Sequence, residues 1–80
     1  MAVEDAHFTR TIQRELGRRY VDASLVDVRV MHGICYVRGT MRCLRSHPNV
    51  DLTKESETIR KMIRQKGFIR EVIWEVDLRN

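Results

Sequence analysis

One stretch near the middle of the chain constrains the fold more than any other. Val26, Val28 and Val30 alternate with Asp27, Arg29 and Met31; His32-Gly33 interrupts; Ile34 to Thr40 then runs on as a second strand. Alternation with period two marks a half-buried strand. A two-residue break carrying Gly marks a tight hairpin turn, and His is among the non-glycine residues that tolerate the positive φ it needs. Such a loop sets Met31 opposite Ile34, Val30 opposite Cys35 and Val28 opposite Val37. Val28, Val30, Cys35 and Val37 then share one apolar face. The other face pairs Arg29 with Tyr36, which allows a cation–π contact, and Asp27 with Arg38, which carry opposite charges; both pairings are favourable across strands.

The flanking segments read as helix, helix and strand. Over residues 4–19, Phe8, Ile12 and Leu16 recur every four residues with Tyr20 next in line. Glu4 and Asp5 at its start and Arg14, Arg18 and Arg19 near its end complement the helix dipole. Residues 52–66 read as a second helix, with Asp51 or Thr53 as its cap and Gly67 at the C′ position. Leu52, Ser56, Ile59 and Ile63 form its inward stripe, with Met62 at the edge. From Phe68 to Leu78, Val72, Trp74, Val76 and Leu78 alternate with Ile73, Glu75 and Asp77. The order α-β-β-α-β predicts an α+β two-layer sandwich. Its three-stranded mixed sheet has both helices on one face. A right-handed crossover runs the third strand parallel to the second, and pairing it beside the first makes the expected sheet order 2-1-3.

Eighty residues make one domain, 1–80, and a chain this small buries only roughly 60% of its unfolded surface. A deep enzymatic cavity is hard to build from so little. The balance of 42% hydrophobic and 32% charged residues argues against disorder, and no long apolar run is present to span a membrane. The net charge is +4, and twelve of the fifteen basic residues are Arg. The excess sits between Arg38 and Lys66, where eight basic residues meet three acidic ones. Two cysteines are too few for a disulfide scaffold, and the first fifteen residues show no apolar core of a signal peptide. A cytoplasmic location is the expectation, with peripheral membrane association compatible with it.

The hairpin carries a family resemblance. Val28-Arg29-Val30-Met31-His32-Gly33-Ile34-Cys35-Tyr36-Val37-Arg38-Gly39-Thr40-Met41 resembles the BON domain, a small bacterial αββαβ module. That family has an apolar strand, an Asn-Gly-like turn and a return strand ending in Gly-Thr. Gly33, Val37, Gly39 and Thr40 sit where it places its glycines and core residues. Gly67 and Ile69-Arg70-Glu71-Val72 resemble its entry to the last strand. His32 replaces the usual Asn, and Phe68 adds a residue after the glycine. The resemblance covers nearly the whole chain and implies a non-enzymatic module that binds phospholipid or other proteins.

Candidate chemistry is thin. His32, Cys35, Cys43 and His47 read as H-x2-C-x7-C-x3-H, but the spacing differs from that of a zinc finger and Cys35 falls on the apolar face as a small hydrophobe. Cys43 stands near Arg42, Arg45 and His47, which favour a thiolate, yet no residue is placed to orient His47, so an exposed loop cysteine is the simpler reading. Glu55/Glu57 and Glu71/Glu75 fall on exposed faces. The four glycines are scattered and form no phosphate-cradling loop. No residue is assigned a catalytic or metal role, and no cofactor is called for.

Two surfaces remain. Arg42, Arg45 and His47 after the hairpin, with Arg60, Lys61 and Arg64 on the outer side of the second helix, form a candidate site for anionic phospholipid or, less well suited, nucleic acid. Arg29, Ile34, Tyr36 and Ile73 are expected on the sheet face that the helices leave open, where they suit a protein partner or a second copy of the chain.

Overall fold

The computed structural model describes residues 3–79, with the side chains of Val3 and Glu4 excepted, so the part expected of Glu4 lies outside the described residues. Its elements are α1 (Val3–Gly17), β1 (Val21–Met31), β2 (Ile34–Cys43), α2 (Leu52–Arg64) and β3 (Glu71–Arg79). Ile12 and Leu16 of α1 are buried, and Phe8 stacks on Phe68 with ring centroids 3.9 Å apart. Tyr20 does not extend this stripe: it is 58% exposed. The helix closes at Gly17, and bonds from the Arg18 and Arg19 amides to the Glu15 and Leu16 carbonyls turn the chain into β1.

At the hairpin, His32 (φ 52°) and Gly33 (φ 80°) both take positive φ, as the two central residues of a type I′ turn must. The pairing is that expected: Met31 with Ile34, Val30 with Cys35, Arg29 with Tyr36, Val28 with Val37 and Asp27 with Arg38. β1 begins five residues before the alternation suggests, because the register shifts between Asp22 and Leu25. A bulge there reverses the in–out phase, so a period-two reading loses the strand. β2 likewise runs past Thr40 to Cys43, and Met41 is fully buried. Gly39 sits at φ 124°, where an added Cβ would lie 2.1 Å from the Leu25 carbonyl oxygen.

The sheet is three-stranded and mixed, but its order is β1-β2-β3 and not 2-1-3. β2 lies in the middle, antiparallel to β1 and parallel to β3. The outer edge of β1 is occupied: the Val30 amide donates to the Thr9 hydroxyl of α1 at 2.9 Å. After α2 the chain returns to the start of β2, where the Arg70 amide bonds to the Gly33 carbonyl at 2.8 Å. Central placement also suits composition, since Cys35, Val37 and Met41 of β2 are all 0% exposed.

Leu52, Ser56, Ile59 and Ile63 of α2 are buried, and together with Ile12 and Leu16 the apolar members cover the sheet face that carries Val28, Val30, Cys35 and Val37. Asp51 is the cap of α2, its Oδ1 accepting the Thr53 and Lys54 amides at 3.0 and 3.2 Å. The helix ends on Gln65 in right-handed geometry, and Gly67 does not take the left-handed conformation expected of a C′ glycine. Two ion pairs join the helical segments: Arg19 to Glu55 in a two-pronged contact (2.9 and 3.1 Å), and Lys66 to Glu15. Among the described residues no helix is long and apolar enough to cross a membrane.

Candidate functional site

With both helices on one side, the odd-numbered positions of β1 from Leu25 onward lie on the open side. So do their partners in β2 and β3. Successive rows across the three strands are Met31-Ile34-Glu71, Arg29-Tyr36-Ile73, Asp27-Arg38-Glu75 and Leu25-Thr40-Asp77. The four residues expected on this face are therefore brought together, with Arg29, Tyr36 and Ile73 in one row and Ile34 in the next. Met31, Ile34, Tyr36 and Ile73 are half-buried, while Arg29 is exposed. Asp27, Arg29, Met31, Tyr36 and Arg38 line a hollow of about 270 Å³. The face thus has an apolar and aromatic centre next to a row of alternating charge. That pattern suits a polar-rimmed protein contact more than a cavity for a small molecule.

The bulged end of β1 is polar. The Asp22 carboxylate is held below its usual range, first by its hydrogen bonds from Ser24 and then by the charge of Arg42. Its Oδ1 accepts the Ser24 amide at 3.0 Å, and Asp22 is the register partner of Arg42.

The six basic-surface residues lie on three parts of the fold: β2, the loop after it and α2. Arg42 belongs to the bottom row of the open face, beside Asp22 and Arg79. Arg45 and His47 are exposed on the following loop, where the His47 ring lies 4.7 Å from Tyr20 and its Nδ1 is 2.9 Å from the Ser46 hydroxyl. Arg60, Lys61 and Arg64 line one hollow together with Glu57. The first basic residue of that hollow, Arg60, lies nine residues beyond the Asp51 cap, roughly 14 Å along the axis at about 1.5 Å per residue. Arg60 is itself engaged: its guanidinium lies 5.4 Å from the Trp74 ring, and its Nε donates to the Ser56 carbonyl at 3.4 Å. Among the described residues this is a cation–π contact that the fold builds, in place of the Arg29–Tyr36 contact expected across the hairpin. Helical periodicity could not reveal it, because Arg60 and Trp74 meet only when α2 lies across β3.

The quartet His32, Cys35, Cys43 and His47 is dispersed. His32 is in the hairpin turn and Cys43 at the far end of β2, roughly 26 Å from Cys35 at about 3.3 Å per residue. Cys35 is fully buried, and burial pushes its thiol from 9.0 up to about 11, away from the nucleophilic form. Cys43 is not the exposed loop residue expected: it ends β2, half-buried, and its thiol donates to the Val50 carbonyl at 3.3 Å. Glu55 departs from expectation too, since its side chain is 17% exposed and holds Arg19. Among the described residues no group of three or more His, Cys, Asp or Glu could hold a metal ion.

Comparison with known proteins finds no matching family model, no matching curated protein and no matching solved structure.

Proposed function

We propose that this chain is a non-enzymatic binding module of BON-like type that contacts a protein partner through its open sheet face. The observation that carries the reading is the row Arg29-Tyr36-Ile73, with Met31 and Ile34 beside it, on the side of the sheet that neither helix covers. An aromatic and an Arg at the centre of an uncovered face are the residue types that anchor protein interfaces. The αββαβ element order and the His32-Gly33 turn are compatible with the BON resemblance. A cytoplasmic setting, which keeps thiols reduced, suits a core that buries Cys35. The test is in-cell crosslinking from a photoreactive phenylalanine analogue placed at Tyr36, with Lys61 as the comparison position. A discrete adduct from position 36 and none from 61 is the expected result. Equal labelling from both, or none from 36, defeats the reading.

A second reading is that the chain binds an anionic phospholipid surface. It is favoured by the gathering of Arg60, Lys61 and Arg64 in one hollow on α2. It predicts co-sedimentation with anionic but not neutral vesicles, weakened by salt and abolished by Arg60→Glu with Arg64→Glu.

A further inference from the structure

We propose that two copies of this chain associate through the outer edges of β3, in an antiparallel register centred on Glu75, so that two three-stranded sheets become one continuous sheet. This goes beyond the open-face reading and does not rest on it.

The two edges of the sheet are built differently. β1 is guarded: its bulge breaks the ladder between Asp22 and Leu25, and the Val30 amide is taken by Thr9 of α1. Bulges and covering helices are the devices by which sheets avoid pairing with other chains. β3 runs through all nine residues, Glu71–Arg79, with no register break, and among the described residues no side chain caps its backbone. Its inward row is unfinished as well: Val72, Trp74 and Val76 are only half-buried, and Leu78 is 37% exposed.

The sequence of β3 selects one partner and one register. In an antiparallel pair, residues directly opposite point to the same face. Centring on Glu75 engages the whole strand. On the inward face it sets Val72 against the partner's Leu78 and Trp74 against the partner's Val76, so each apolar residue meets another. On the open face it sets Glu71 against the partner's Arg79 and Ile73 against the partner's Asp77, and symmetry repeats both pairs; the first is attractive and the second gains nothing. One like-charge pair remains, Glu75 with the partner's Glu75 on the axis, and each of these has Arg38 as its β2 neighbour. A one-residue slip opposes the apolar row to the charged row. A two-residue slip opposes Glu71 to the partner's Asp77 in one direction, and Glu75 to the partner's Asp77 in the other. Larger slips leave a third or more of the strand unpaired. The favoured arrangement has two-fold symmetry and closes on itself.

Sedimentation velocity of the full chain over a wide concentration range tests this, with far-ultraviolet circular dichroism to confirm that each variant folds. The expected result is a monomer–dimer equilibrium. Arg79→Glu should raise the dimer dissociation constant about tenfold, since it turns two attractive cross-strand pairs repulsive. Glu71→Arg combined with Arg79→Glu should restore it, and Glu75→Gln should tighten it. A chain that stays monomeric throughout overturns the proposal. So does a dimer indifferent to Arg79→Glu; if that dimer is instead weakened by Tyr36→Ala, the copies meet through the open face.

Discussion

The Thr9 hydroxyl accepts the Val30 amide at 2.9 Å and thereby joins the middle of α1 to the outer edge of β1, 21 residues away in sequence. The same hydroxyl donates to the Asp5 carbonyl at 2.8 Å, so both its hydrogen-bonding roles are used. One side chain places the helix on the sheet and closes an edge that would otherwise offer its amide to another chain.

Removing that hydroxyl tests its weight. Thr9→Val keeps the shape but leaves the Val30 amide without an acceptor, a loss of about 1–3 kcal/mol. Thr9→Ser, which keeps the oxygen, should cost less. Chemical denaturation of the two variants gives the comparison; equal losses would show that the methyl group matters as much as the hydrogen bond, and no loss from Thr9→Val would show that the hydrogen bond carries no weight.

Gly39→Ala is expected to be among the most damaging small substitutions. A Cβ at this position meets the Leu25 carbonyl oxygen at 2.1 Å, and the backbone φ of 124° is one that only glycine adopts readily. Both strain terms act together, so a loss of more than about 3 kcal/mol, or failure to fold, is the outcome to look for. Gly17→Ala is the control, since nothing lies within 4 Å of its added methyl. It should be neutral or mildly stabilising.

Alkaline pH should weaken the fold through Cys35. Its thiol titrates at about 11 in the folded chain against an ordinary 9.0, because burial disfavours the thiolate. A group whose folded pKa is raised contributes stability that is complete below the unfolded pKa and is lost as pH rises through the folded one. The denaturation midpoint should therefore fall between about pH 9 and about pH 11. Cys35→Ala should lower stability overall yet flatten that part of the decline. A profile as steep as that of the parent would remove Cys35 as its source.

The Arg19–Glu55 pair should show measurable coupling. Its two-pronged geometry, at 2.9 and 3.1 Å, links the turn after α1 to the first turn of α2. A double-mutant cycle with Arg19→Ala and Glu55→Ala is expected to give about 0.5–1 kcal/mol, since the side chains remain partly in water. The coupling should shrink in high salt. Strict additivity would reduce the pair to a surface contact without consequence.

Local chemistry made much of this protein legible in one dimension. The valine alternation and the His32-Gly33 turn determined the hairpin, its register and the face that holds Arg29 and Tyr36. They could do so because a two-residue turn allows one pairing and strand side chains alternate strictly. The helical stripes of α1 and α2 were legible for the same kind of reason, periodicity on a single element. What the tertiary structure alone decided involves contacts between elements far apart in sequence. β3 lies beside β2, while α1 takes the β1 edge through Thr9 and Val30. The bulge near Ala23 hides the start of β1 from any periodic reading. The basic residues, contiguous enough in sequence to look like one surface, are divided because Arg42 belongs to the sheet while Arg60 is carried along α2 to rest on Trp74. Periodicity reports which way a side chain points from its own element; only packing decides which element it meets there.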